Sequence, residues 1–283
     1  GIYPVGMKIA ADHYEKGLGK SLGFLVGALV LGTAFPHLLK SMTSGLPWKY
    51  VLFGTSFLAV VGGFAMFLRV PDGPYRRPGN KLNPREFFQC FSNPDFRAAS
   101  IGYFGHMWEL YAFWVFLPLL LTNYQKLHQG LDLNIPLLCF GIIATGAISC
   151  MVSGLISSHF GVKRTASIAL LLSGLCCLAS PLFLAGSSVT ILIIFLIFWS
   201  IVVIADSPLF STLVAQTATP TSRGTALTLV NCIGFSITIV SIQLINTLLT
   251  DGFSIYIFML LALGPIIGLT ALYTKKLGAA GSI

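Results

Sequence analysis

An all-α, polytopic membrane helical bundle is the fold class that this 283-residue sequence predicts, and three observations predict it. Eight apolar runs lie near residues 18–41, 48–68, 98–122, 135–158, 163–185, 188–216, 222–249 and 253–273. Each holds about 20 residues or more, enough at about 1.5 Å per residue to cross a hydrocarbon core of roughly 30 Å. All 17 Lys and Arg residues fall between these runs or at their ends. The cations are also unevenly shared. One alternate set of connections holds 14: Lys8, Lys16, Lys20, Arg69, Arg76, Arg77, Lys81, Arg85, Arg97, Lys163, Arg164, Arg223, Lys275 and Lys276. The other holds only Lys40, Lys49 and Lys126. Under the positive-inside rule the first set is cytoplasmic.

Composition agrees with this class. Hydrophobic residues make up 55% and charged residues 9% of the chain, against about 25% charged in a soluble domain. The net charge of +8 is accounted for by the loops, so it calls for no nucleic-acid partner. Five cysteines (Cys139, Cys150, Cys176, Cys177, Cys232) lie in apolar runs and Cys90 in a loop. None is placed for a secretory disulfide framework or with metal-ligand spacing, so neither metal nor cofactor is expected.

Taken in order, the run 1–11 is too short to cross a bilayer and reads as the cytoplasmic end of a helix, carrying Tyr3. The run 18–41 contains Gly23, Gly27, Gly32 and Pro36, small residues suited to close helix contact. After 48–68 comes the longest hydrophilic segment, 69–97, with Pro71, Gly73, Pro74, Pro78, Gly79 and six cations, a cytoplasmic linker between two bundles. Within it, Asn83-Pro84 and Asn93-Pro94 each offer an N-cap followed by proline at the first helical position. The first would start a short interfacial helix bearing Phe87, Phe88 and Phe91; the second starts the run 98–122, with Asp95 in its first turn. Six runs follow the linker. In 188–216, Pro208 should kink the helix and free the carbonyl of Ile204, and Pro265 is placed to do the same in 253–273.

An internal repeat organises these elements. Pro4 to Ala11 end one helix and Gly17 to Gly23 restart the next; Pro208 to Ala215 and Ser222 to Leu227 do the same at an offset of 204 or 205 residues. Both copies cross in one direction, as the parallel repeats of transporter halves do, so three helices in about 105 residues are expected before Gly1.

Paired six-helix halves, a basic central loop and parallel repeats together resemble the major facilitator superfamily of secondary transporters. The segment Gly154-Leu155-Ile156-Ser157-Ser158-His159-Phe160-Gly161-Val162-Lys163-Arg164 is similar to that superfamily's G-x-x-x-D-R-x-G-R-R loop. It keeps Gly154, Gly161, Lys163 and Arg164, with Ser158 and His159 in place of Asp and Arg. Arg223 and Gly224 occupy the matching turn before the next-to-last helix. The antiporter pattern G-x-x-x-G-P is absent, since Gly32 is followed by Thr33, and the Gly-rich pair of nitrate porters is incomplete. The resemblance implies that residues 1–68 are the remainder of the N-terminal half, from the end of helix four through helix six. Residues 69–97 would be the central linker, and 98–283 the C-terminal half, helices seven to twelve.

Two carboxylates remain inside apolar runs. Glu109 and Asp206 both sit about 10 residues, or roughly 15 Å, from the cytoplasmic ends of their helices, near the bilayer midplane. A buried charge is costly there, so such groups face protein or water and mark ion and solute pathways. A carboxylate hydrogen-bonded between helices for structure alone is the competing reading. His106 precedes Glu109 by three residues and shares its face, with Tyr103 a further turn away; a neutral imidazole there can shuttle protons. The His-x-x-Glu pair lacks a second His or Cys pair at that depth, so no metal site is expected. Tyr103, Trp108, Tyr111, Trp114, Trp199, Ser200, Ser207 and Tyr3 have polar tips that can line a substrate cavity.

These residues lead to one expectation: a secondary transporter of a small organic solute working by alternating access, with protons as the coupling ion carried by Glu109, Asp206 and His106. Uncoupled facilitative transport, or an inactive truncated permease, stands as the alternative. Motifs of intramembrane prenyltransferases and proteases are absent, so no enzyme is expected, and beyond solute, protons and lipid no protein partner is implied. No Lys or Arg lies deep in a run, which favours neutral or cationic solutes. The expected location is the cell membrane, with the 69–97 linker and the C-terminus cytoplasmic.

Overall fold

The computed structural model describes residues 2–14, 18–43, 47–76, 89–128, 130–186, 188–219, 223–250, 252 and 254–274, without the side chains of 2–4 and 11. Among them the regular structure is helical. The elements are α1 (Ile2–His13), α2 (Leu18–Met42), α3 (Lys49–Arg69), α4 (Pro94–Leu127), α5 (Ile135–Phe160), α6 (Val162–Gly186), α7 (Val189–Ala205), α8 (Ser207–Thr217), α9 (Arg223–Thr250), a 3₁₀ segment (Ile257–Ala262) and α10 (Leu263–Tyr273). Seven stretches are long and apolar enough to span a membrane, the broken pair α7–α8 counting as one.

The ends of these helices lie where local chemistry puts them. Asn93 accepts a hydrogen bond from the Asp95 backbone N–H at 2.9 Å and Pro94 begins α4, as the Asn-Pro pair predicts. Asn134 caps α5 in the same way through the Leu137 N–H. Gly161 ends α5 at φ 86°, a conformation that costs glycine nothing and lets α6 restart at once. The sequence expectation of a full helix over 253–273 is corrected: Ile257–Ala262 is 3₁₀ and only Leu263–Tyr273 is α-helical. At about 2.0 Å per residue the 3₁₀ stretch rises faster, so both together still cover roughly 28 Å. The Asn83-Pro84 start and Phe87 and Phe88 lie outside the described residues. Phe91 packs edge-on against Phe96 at 5.3 Å, beneath the bundle.

Two interleaved cores hold the bundle. The larger joins α4, α5, α6 and α7 around Phe113, Leu117, Ile142, Cys177 and Trp199; the smaller joins α4, α8 and α9 around Phe96, Tyr103, Phe210 and Val230. α2 crosses α5 along its length. A Cβ at Gly23 would lie 2.7 Å from the Cys150 carbonyl oxygen, and one at Gly154 2.8 Å from that of Gly19, so only glycine allows this approach. At the far end of the same crossing, Ser41 and the Asn134 amide exchange hydrogen bonds of 3.0 and 3.2 Å. α3, by contrast, buries none of its residues and touches α2 near Gly54 and Leu39. Lipid tails are as apolar as leucine, so such a face needs no protein partner in a bilayer. The repeat is visible in the helix boundaries: α1 ends at His13 and α8 at Thr217, α2 begins at Leu18 and α9 at Arg223, the offset read from sequence.

Candidate functional site

The site is built around a break. Pro208 has no N–H to give Ile204, and the helical stretch parts at Asp206, the single residue between α7 and α8. α5 reaches across to this stretch: Cys150 Sγ donates to the freed Ile204 O at 3.5 Å, and Ser149 Oγ adds a second bond to Ile201 O at 2.6 Å. The ladder resumes with Phe210 N donating to Asp206 O at 2.8 Å. The predicted kink at Pro208 is present, sharpened into a discontinuity that leaves the Asp206 side chain pointing into the bundle.

His106 of α4 meets it there. Its Nδ1 lies 2.8 Å from Asp206 Oδ1, and both side chains are completely buried. The approach falls outside directed hydrogen-bond geometry, so the two groups touch as an ion pair only when the imidazole is protonated. Neither His106 Nε2 nor Asp206 Oδ2 has a hydrogen-bond partner among the described residues. Tyr103 and Phe210 flank the imidazole, their ring centroids 6.1 Å away on each side.

Glu109, one turn along α4, is held quite differently. Trp199 Nε1 of α7 donates to its Oε1 at 2.8 Å, Cys177 Sγ of α6 to the same oxygen at 3.2 Å, and Ser173 Oγ to Oε2 at 2.9 Å. It is also fully buried, yet every donor around it is neutral. The sequence grouped His106 and Glu109 by their shared face; the structure gives them separate partners. Ser173 and Cys177 escaped sequence reading, although two polar atoms one turn apart in an apolar helix are the signal that marks them.

The remaining candidates divide into core and margin. Tyr103 OH donates to Asn231 Oδ1 at 2.6 Å, and Asn231 Nδ2 donates to Leu227 O at 2.7 Å. Asn231, a buried amide in an apolar helix, is a residue the polar-in-membrane rule would have found. Trp108 Nε1 donates to Leu260 O at 3.2 Å, and Trp199 is committed to Glu109. Half-buried Tyr111 packs edge-on against Trp114 and Phe235 at 5.1 and 5.3 Å. Trp114 and Ser200 are buried with no hydrogen-bond partner on Nε1 and Oγ among the described residues, and Ser207 is buried in the first turn of α8. The Tyr3 side chain lies outside the described residues. Among the motif residues, Gly154 forms the crossing with α2, Lys163 sits 5.6 Å above the Tyr273 ring, Arg164 and Gly224 are exposed, and Arg223 is half-buried.

An apolar helical bundle with parallel repeats and buried ionisable groups at a helix break defines a multi-pass membrane protein built for transport. The family model described as Major Facilitator Superfamily matches residues 1–242, and the chain belongs to that superfamily. It is a membrane transporter and not an enzyme. No curated protein matches it. Among solved structures it is similar to a bacterial homologue of the human lysosomal transporter Spinster, in an inward-facing and unoccupied conformation. The identity is 15%, over 97% of this chain and 72% of that one, with a TM-score of 0.45.

Proposed function

We propose that this transporter moves a small neutral or cationic organic solute in exchange for, or together with, protons, and that His106 and Asp206 carry the proton. The observation that carries the reading is the contact of two fully buried titratable groups, 2.8 Å apart, at the only break in a spanning stretch other than the 3₁₀ segment among the described residues. A carboxylate and an imidazole in contact can hold a proton between them, and that proton can bias alternating access only if the open-in and open-out states solvate the pair differently. Glu109 belongs to the same layer as a third ionisable group. The preference for neutral or cationic solutes rests on the absence of any fully buried Lys or Arg among the described residues. The protein is placed in the cell membrane with residues 69–97 and the C-terminus in the cytoplasm, on the strength of the cation distribution.

The test is uptake into proteoliposomes of a panel of radiolabelled neutral and cationic solutes, with and without an imposed proton gradient. The native protein should accumulate at least one solute only with the gradient. Asp206→Asn should abolish accumulation while leaving solute exchange, which needs no net proton movement. Accumulation by Asp206→Asn at the native level would sink the proposal, and gradient-independent equilibration by the native protein would favour a uniporter.

A further inference from the structure

We infer that Glu109 is a positioning residue for the His106–Asp206 pair, acting through a Glu109–Trp199 rung that sets the spacing and register of α4 against α7. The inference rests on the reading of that pair as the proton site. On α4, Glu109 lies one turn outward of His106, about 4.5 Å. On the facing stretch, Trp199 lies within α7, about 10 Å of helical rise before the break at Asp206. The two strands of contact therefore form two rungs, His106–Asp206 at 2.8 Å and Glu109–Trp199 at 2.8 Å. Ser173 and Cys177 then tie the same carboxylate to α6, so one side chain fixes three helices at the depth of the proton pair.

The way Glu109 is held separates this role from proton carriage or solute contact. It is completely covered, with both oxygens satisfied, whereas Asp206 Oδ2 and His106 Nε2 have no bonded partner among the described residues. Its three donors are a hydroxyl, a thiol and an indole, none of which brings a positive charge. Glutamine satisfies the same geometry: its amide oxygen accepts from Trp199 and its amide nitrogen can donate to Ser173 Oγ. The titratable groups facing Glu109 are His106 on its own helix, Asp206 at the break, and Cys176 and Cys177 on α6. A change at Glu109 therefore reaches Asp206 either through charge or through geometry, and the glutamine variant tells the two apart.

Two measurements on the purified full chain decide it. Infrared difference spectra across a pH titration follow the Asp206 carboxyl, identified as the band missing in Asp206→Asn. Glu109→Gln should change its proton affinity by less than about twofold, whereas Glu109→Ala and Trp199→Phe should change it by about tenfold, one pH unit. Distances between spin labels at exposed Val115 of α4 and Ile194 of α7, in a background with exposed Cys232 replaced by serine and the buried cysteines kept, follow the register directly. These should stay narrow in Glu109→Gln and broaden or shift in Glu109→Ala and Trp199→Phe. Equal effects of Gln and Ala on Asp206 would show that Glu109 acts through its own charge and overturn the inference. Native distances in Trp199→Phe, which keeps an aromatic ring but loses the N–H, would overturn it as well. If no Asp206 band titrates in the native protein, the proton reading falls, while the distance measurement still judges the rung.

Discussion

A carboxylate carried to the middle of a bilayer by an isolated helix costs about 2.5 to 3.5 kcal/mol on the insertion scale, and Asp206 is offset chiefly by His106. Removing one partner of a buried pair leaves the other uncompensated, at a cost of about 3–5 kcal/mol. His106→Leu should therefore destabilise the protein by about 3 kcal/mol at neutral pH, read as a lowered thermal midpoint in detergent. Adding Asp206→Asn to it should recover most of that loss, because the orphaned charge is then gone. Additive losses in the double variant would mean that the pair contributes nothing to stability. Around Glu109, Ser173→Ala removes one hydrogen bond of three and should cost about 1 to 2 kcal/mol.

Among elements, the α2–α5 crossing is the one set most tightly by backbone contact. Gly23→Leu would push a side chain against the Cys150 carbonyl, 2.7 Å from the first added atom, and α5 also stitches the α7–α8 break through Ser149 and Cys150. Overpacking of this kind costs about 1–3 kcal/mol. The expected outcome is a lowered melting temperature for Gly23→Leu beside an unchanged one for Gly32→Leu on the same helix, where no described residue of another element lies within 4 Å of an added Cβ. Similar losses at both positions would show that helix propensity, not the crossing, is being measured. The run of glycines in α2 was legible as a packing face; that it packs on α5 was not, because small-residue spacing names a face and never its partner. Likewise Pro208 announced a kink in the chain, but the donor that meets the freed Ile204 carbonyl, Cys150 of α5, comes from more than 50 residues away in sequence.

At the scale of the whole molecule, orientation is the property still to be measured. A cysteine placed at exposed Arg76, in a background without native cysteines, should react with a membrane-impermeant maleimide only after cells are opened; one at exposed Leu127 should react in intact cells. Labelling of position 76 from outside would invert the topology and with it the cytoplasmic assignment of the linker.

The amino-acid sequence by itself determined the membrane class, the number and limits of most helices, the cap at Asn93, the parallel repeat and the family resemblance. These follow from local or additive physics: apolar length against bilayer thickness, charge against side, proline and glycine against backbone geometry. It also singled out Glu109, Asp206 and His106, because an ionisable side chain inside an apolar run is conspicuous without any fold. Only the tertiary structure decided which of them meet. A spacing of three residues puts His106 and Glu109 on one face of α4, yet their partners stand on α6, α7 and the α7–α8 break, 64 to 100 residues further along. Contacts at that separation depend on which helices neighbour one another and at what register. Within apolar helices of similar hydropathy, side-chain packing settles that, not pattern.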